Sequence, residues 1–469
     1  MNLKCQVFTP QDYVEKLLDD VGYTNNLKGK RILENSCGDG NILVVVVQRY
    51  IADCKSKGLS RTIIKNGLAR DIIGVEIDER HCKKCIENLN NILDKEGIPH
   101  IIWQIYNEDF LRRDDSTKYE FIIGNPPYIT YSEMERREQQ FLNEHYESCK
   151  KGKFDYCYAF IEKSLSMLTE NGKMAYLVPS SIFKTVFGLN LRRVMLPYIS
   201  EIQDYTQKKV FDKALVKSAI VLMEANNTKK SFKYYDVSMK RIAEISKSDL
   251  GEKWVFTGSE QGKRRFGDYF RVAHVVATLY NDAFVLKDYN IDINGNYVCK
   301  GYVIEHELVR ETATPRTLRT GTVEKIIFPY KYCENGLVRY KQCEIKDMFP
   351  GAYKYLTSYK TKLVKRNSEK NAKWFEYGRS QALGNLNREK CLVSTVISSD
   401  LLIYKLSKEC IPYAGMYIIP KRDDDEYGLD DAMIILKSDR FKRYVEGIGI
   451  HVNGNSLRIT SKDIENYMF

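Results

Sequence analysis

Over its first 225 residues the chain alternates short β-rich runs with longer helical patterns, and that alternation limits the fold more than any other feature of the sequence. Strands are expected at 31–35, 72–77, 101–106, 120–124, 174–178, 201–205 and 218–224. Strands joined through helices pair in parallel, because each crossover returns the chain to the same end of the sheet. The expectation is a doubly wound α/β domain, a Rossmann-like and mostly parallel seven-stranded sheet. Tyr158, Ile161, Leu165 and Leu168 recur at helical spacing and read as a core stripe rather than a site. Polar residues 226–230 mark the expected boundary, giving a first domain over 1–228 and a second over 229–469. The second has short β-rich segments near 297–303, 325–330, 391–396 and 415–419 between helical stretches, which predicts an α+β domain.

Composition removes several alternatives. With 469 residues, 43% hydrophobic and 29% charged, the chain can bury large cores and is not a disordered or low-complexity protein. Its longest apolar run, Ile42 to Val47, is too short to span a bilayer, and no leader pattern precedes it, so a cytoplasmic protein without membrane contact is expected. The 12 cysteines are scattered, which favours free thiols. Cys82 and Cys85 form a lone CxxC without a second ligand pair, so no structural metal is expected.

The net charge of +11 is uneven: residues 1–230 hold 34 Lys+Arg against 31 Asp+Glu, and residues 231–469 hold 39 against 31. The window 351–390 carries ten basic and three acidic residues among several aromatics. That mixture suits a polyanion whose bases can also be touched, although a solvated basic face has the same composition.

Candidate chemistry gathers at expected strand ends. After the first strand comes Glu34-Asn-Ser-Cys-Gly-Asp-Gly40, where Gly38 and Gly40 let the backbone approach a ligand closely. The second strand ends at Glu76, placed to accept hydrogen bonds from both hydroxyls of a ribose. The basic stretch between Lys55 and Arg70 reads as an insertion that lengthens the spacing between them. The third strand ends near Asp109, an acceptor for an adenine amino group, and Phe110, an apolar face for its ring. Three carboxylates at successive strand ends describe a nucleoside pocket.

The fourth strand stops abruptly in Asn125-Pro-Pro-Tyr128. Tandem prolines stiffen the backbone and remove two amide donors, leaving the Pro126 carbonyl as a bare acceptor beside the Asn125 amide oxygen. Together they can accept both hydrogens of a planar amino group, which weakens conjugation of its lone pair into the ring and favours attack on a methyl sulfonium. Tyr128 supplies a stacking face.

These residues resemble the γ-class amino-group DNA methyltransferases, in particular the TaqI type of adenine-specific enzyme. The resemblance runs in order through Val7 to Pro10, Ile32 to Leu43, Gly74 to Asp78, Glu108 to Leu111, Gly124 to Tyr128, Gly152 to Leu165 and Asn171 to Pro179. It implies a domain that binds S-adenosyl-L-methionine, with Phe8, Thr9, Glu34, Ser36, Cys37, Gly38, Gly40, Glu76, Ile77, Asp109, Phe110 and Asn125 around the cofactor. It implies catalysis by Asn125, Pro126 and Tyr128, and a target base held between Tyr128 and Phe211, which without the resemblance reads as core. Asn35 stands where the family usually has proline, and Cys157 where tyrosine is common.

The second half resembles the family's C-terminal recognition domain more loosely, at Lys325 to Tyr330, Trp374 to Arg379 and Ser456 to Lys462. Lys362, Lys365, Arg366, Lys373, Arg379 and Gln381 are its candidate contacts to phosphates or base edges. The function implied is methylation of adenine N6 in double-stranded DNA by base flipping. A monomer is expected, serving the modification half of a restriction-modification system with a separate cognate restriction endonuclease. Protein glutamine, RNA or cytosine-N4 methylation and a catalytically silent DNA-specificity factor are the rival readings.

Overall fold

The computed structural model describes residues 9–206, 217–256, 262–334, 336–422, 426–452 and 456–469. The chain divides into two compact units, 1–257 and 258–469.

The first unit is built on one sheet of nine strands: β1 (Ile32–Glu34), β2 (Ile72–Glu76), β3 (Gln104–Asn107), β4 (Tyr119–Gly124), β5 (Leu168–Pro179), β6 (Ile199–Asp204), β7 (Ser218–Glu224), β8 (Ser231–Asp236) and β9 (Arg241–Ser246). Their order is β3-β2-β1-β4-β5-β7-β6-β8-β9. β1 to β5 are parallel neighbours, and β7 runs antiparallel to both β5 and β6. The helices are α1 (Gln11–Val21), α2 (Asn41–Ser56), α3 (Arg61–Asp71), α4 (Glu79–Glu96), α5 (Arg136–His145), α6 (Cys157–Ser166) and α7 (Leu189–Met195).

Side-chain alternation along each strand feeds two separate cores. Phe121, Ile123, Ala175, Leu177, Ile220 and Leu222 pack with α1, α2 and α4, whereas Ile122, Met174, Tyr176, Val178, Val221 and Met223 pack with α6 and α7. Near-continuous apolar strands are what a sheet covered on both faces requires. The basic insertion forms α3, capped by Ser60 and pinned at its end by buried Asp71, which accepts from the Gly29 amide and the Tyr50 hydroxyl, both at 2.7 Å. The core stripe expected at 158–168 lies on α6, with Tyr158, Ile161 and Leu165 buried and Leu168 at the start of β5.

Two expectations are corrected. The sheet has nine strands rather than seven, and the first unit ends near residue 257 rather than 228. Residues 226–230 are only the turn into β8, which pairs in parallel with β6, while β9 closes the edge. The segment beyond β9 also belongs to this unit. Trp254 donates its amide to the Phe183 carbonyl at 2.9 Å, and Phe256 stacks on Tyr234 with ring centroids 4.5 Å apart.

The second unit mixes strands and helices. Its main sheet is antiparallel, with Phe270–His274, Met416–Pro420, Lys390–Val393 and Ile403–Leu406 in that order. Smaller two- and three-stranded sheets and short helices such as Gln342–Met348, Pro350–Ser358 and Asp439–Ile448 complete it. Its core includes Phe284, Leu286, Ile326, Tyr330, Tyr355 and Tyr377. Among the described residues, no helix is long and apolar enough to cross a membrane.

Candidate active site

The carboxyl ends of β1, β2 and β4 bring the proposed residues to one edge of the sheet, where open α/β sheets bind ligands. The turn after β1 places Gly38 at φ 51° and Gly40 at φ 82°, both left-handed and favourable to glycine. Gly40 also makes a close approach: a Cβ there would lie 2.6 Å from Cys85 Sγ on α4. Cys82 and Cys85 are therefore two buried free thiols on the inner face of α4, against the glycine turn. Among the described residues no cluster of His, Cys, Asp or Glu is arranged to hold a metal ion.

Glu76 anchors this turn. Its carboxylate accepts from the Gly38 amide at 2.8 Å through one oxygen and from the Asp78 amide at 2.9 Å through the other. Each oxygen keeps a second lone pair, enough to accept from a vicinal diol. Beside it Ile77 is half exposed and offers an apolar face to a ring. Asn107 holds the same strand end by donating to the carbonyls of Glu76 and Ile77, both at 3.0 Å.

Glu34 is buried at the end of β1, and one of its carboxylate oxygens has no hydrogen-bond partner. Burial, with Cys85 and Glu76 close by, pushes its carboxyl well above the usual carboxylate range, against a hydrogen bond from the Leu43 amide. A cation bound alongside would relieve that penalty. Next to it Asn35, the departure from the family's proline, is a buried hub: its side-chain nitrogen donates to Ser164 Oγ at 2.8 Å and to the Tyr176 hydroxyl, which is itself 2.8 Å from Ser164 Oγ. Its Oδ1 is a further buried acceptor without a donor. Cys157, the other departure, is fully buried on α6.

At the end of β4, Ser36 Oγ donates to the Asn125 backbone carbonyl at 3.3 Å, so the glycine turn and the Asn125-Pro126-Pro127-Tyr128 segment touch. The Asn125 side-chain oxygen is buried, and Pro126 is buried beside it. Tyr128 donates its hydroxyl to the Leu177 carbonyl of β5 at 2.9 Å, which fixes the ring, and burial pushes its phenol well above the ordinary value. Thr9 is buried just ahead of α1, and Cys37 is buried beneath the turn.

Not every candidate is equally placed. Phe110 is buried in the core against Phe160, with centroids 5.2 Å apart, rather than presented as a platform. Asp109 already accepts from the Leu111 amide at 2.9 Å and pairs with Arg112 at 2.5 Å. Lys163 ties this loop down by donating to the carbonyls of Phe110, Leu111 and Arg113. Phe8 and Phe211 lie outside the described residues. Three positioning residues escaped the sequence reading: His81 and Asn88 on α4 hold Asp39 of the glycine turn at 2.5 and 2.9 Å, and Asn107 is the third. Only their spacing on α4, seven residues apart with Cys85 between them, hinted at a shared face.

In the second unit Lys362, Lys365, Arg379 and Gln381 are exposed. Arg366 is not a surface contact. Its guanidinium donates to the carbonyls of Leu363, Thr278, Trp374 and Glu376 and serves the interior. Lys373 is half-buried, donating to the Tyr340 carbonyl at 2.5 Å and lying 3.9 Å from the buried carboxylate of Glu376.

The parallel β3-β2-β1-β4-β5 core with a reversed β7, and a glycine turn beside an Asn-Pro-Pro-Tyr strand end, resemble the arrangement of the α/β methyltransferases. The relationship is more specific than that. Residues 74–211 match the family described as Eco57I restriction-modification methylase. The chain is 25% identical over 336 residues to the type II restriction enzyme and methyltransferase RM.Eco57I of Escherichia coli, a match covering 61% of this chain and 33% of that protein. It is 22% identical to the type II methyltransferase M.BstVI of Geobacillus stearothermophilus, over 96% of this chain and 87% of that one. The type IIL restriction-modification enzyme MmeI, solved in complex with DNA, shares the fold with a TM-score of 0.63 at 15% identity, over 98% of this chain and 67% of that one. The chain thus spans a third of one relative and most of another, and it is related to the type II restriction-modification DNA methyltransferases.

Proposed function

We propose that the protein is a site-specific DNA adenine methyltransferase that acts on N6 of an adenine flipped out of the duplex and forms the modification component of a restriction-modification system. The observation that carries this reading is the contact between the glycine turn and Asn125, which puts the candidate cofactor turn after β1 and the candidate amine acceptors after β4 at one edge of the sheet. S-adenosyl-L-methionine supplies, when bound, a methyl group on a positively charged sulfur. The residues fit such a cofactor. Glu76 has lone pairs for the ribose, Ile77 offers an apolar face, and Glu34 and Asn35 hold buried acceptors without donors that suit a cationic amino-acid moiety.

The chain's own residues would orient the target. Asn125 Oδ1 and the Pro126 carbonyl accept the two amine hydrogens, and the Tyr128 ring, locked by its hydroxyl on Leu177, stacks on the extruded base. Flipping is needed because N6 is paired and stacked in the duplex. Exposed Lys362, Lys365, Arg379 and Gln381 of the second unit would meet phosphates or base edges.

The test is transfer of a labelled methyl group from S-adenosylmethionine to unmodified mixed-sequence DNA, with nucleoside analysis of the product and Asn125→Ala as control. N6-methyladenine from the wild type alone is the expected result. Cofactor binding without incorporation into DNA would redirect the reading to RNA or protein acceptors.

A further inference from the structure

Residues 150–153, Lys150-Lys-Gly-Lys, contain three exposed lysines and no carboxylate. Lys150 donates to the Glu144 carbonyl at 3.4 Å, while Lys151 and Lys153 pair with no carboxylate among the described residues. Against this loop sits Phe187. Gly152 has φ 83°, and a Cβ on it would fall 2.0 Å from Phe187 Cδ1, so the ring rests directly on the glycine backbone. Phe187 is nevertheless 43% exposed, and its neighbour Val186 is 57% exposed. An exposed aromatic resting on the lysine loop, with Val186 exposed next to it in sequence, suits a partner that is both anionic and apolar.

The surface adjoins the proposed catalytic segment. The Tyr156 amide donates to the Ile129 carbonyl, one residue after Tyr128, at 2.9 Å. Phe154 packs edge-on against Tyr131 with centroids 5.2 Å apart. On the other side the Tyr158 hydroxyl lies 3.2 Å from Thr185 Oγ1, two residues before Phe187. Both β4 and β5 end at this edge of the sheet, so the lysine loop and Phe187 follow the same strand ends that carry Asn125.

We propose that Lys151, Lys153 and Phe187 grip the DNA strand that carries the target base, the lysines on its phosphates and the aromatic ring on a base beside the extruded nucleotide. The inference rests on the reading of the chain as a DNA methyltransferase. Lysines interleaved with an exposed aromatic match a polyanion with accessible ring faces, and an acidic protein surface would leave Phe187 and Val186 without a counterpart.

Binding of a mixed-sequence duplex by the full chain, measured against salt concentration, tests this together with steady-state methylation. The double variant Lys151→Glu with Lys153→Glu should flatten the plot of log affinity against log salt by roughly 2 in slope, since each phosphate contact contributes about 0.9. Phe187→Ala should keep the wild-type slope but raise KM for DNA by roughly fivefold or more, the loss expected for one stacked base. Phe187→Trp should restore it, and cofactor affinity should not change in any of these variants. Gly152→Ala, which displaces the ring without altering its chemistry, should resemble Phe187→Ala. Wild-type slope and KM in all four variants, with an active wild type, would overturn the inference alone. A wild type that neither binds nor methylates DNA would overturn the functional reading with it.

Discussion

Glu76→Ala separates a residue that only touches ligand from one that also builds the pocket. In the structure both carboxylate oxygens accept backbone amides, from Gly38 at 2.8 Å and Asp78 at 2.9 Å, and the side chain is almost buried. Hydrogen bonds to a charged acceptor are worth about 1.5–3 kcal/mol each, so losing two should cost about 3 kcal/mol or more with no cofactor present. For a unit of this size, about 2–4 °C of melting temperature accompanies each kcal/mol, which predicts a fall of about 6–12 °C. Cofactor affinity should fall by about 100-fold or more, since the ribose acceptors vanish and the turn loosens together. Thermal melts of the full chain with and without S-adenosylmethionine, and calorimetric titration at a temperature where the variant is folded, provide both numbers. A variant that melts with the wild type in the absence of cofactor would refute the anchoring argument, even if cofactor binding were lost.

Other perturbations follow from the same geometry. Gly40→Ala must accommodate a Cβ 2.6 Å from Cys85 Sγ at a left-handed φ, so it should weaken cofactor binding and destabilise by about 1–2 kcal/mol from backbone strain alone, read by chemical denaturation. Tyr128→Ala should lower turnover by about 5- to 150-fold, the range for one base stack, with little change in cofactor affinity; loss of folding would make Tyr128 a core residue. Burial, with Glu133 adding its charge, holds Asp155 up to about 6, above its ordinary value. The folded protein therefore binds that proton more tightly than the unfolded chain, and the associated stability is fully present below about pH 4 and lost as pH rises through 6. Asp155→Asn, which keeps the neutral form, should gain about 2–3 kcal/mol over the wild type at pH 8 and nothing at pH 4, by melts at the two values. Arg366→Ala should lower the melting temperature by stranding four carbonyls, whereas Lys362→Glu with Lys365→Glu should leave it unchanged and flatten the salt dependence of DNA binding.

Most of the parallel core was readable because β1, β2, β4 and β5 carry apolar runs, and a sheet covered on both faces leaves little polar alternation to confuse the pattern. β8 and β9 were not, since Ser231–Asp236 and Arg241–Ser246 are partly exposed and interrupt their apolar residues with charge, and β9 is the edge strand of the sheet. The strand-end residues Glu34, Glu76 and Asn125 could be placed because parallel connectivity fixes which end of a strand faces the ligand. What each carboxylate already bonds to could not. Asp109 turned out to be engaged by Arg112, and Phe110 to be core, because those partners are set by the local turn and by α6. Charge counting found the basic window at 351–390 but could not tell an interior cation such as Arg366 from an exposed one such as Lys365, a distinction made only by the carbonyls that converge on it.

The hub formed by Asn35, Ser164 and Tyr176 also bears on how this chain can change. Its members are separated by as many as 141 residues along the sequence, yet each is hydrogen-bonded to the other two. Contacting polar groups of this kind couple by about 0.5–3 kcal/mol, so the cost of replacing one depends on the identity of the other two. Proline at position 35 would withdraw a donor from two buried hydroxyls at once, and it becomes tolerable when 164 and 176 are apolar as well. The three sites should therefore be inherited as a set, and a chimera that takes β1 from one relative and α6 with β5 from another should lose stability in proportion to how badly that set is mixed.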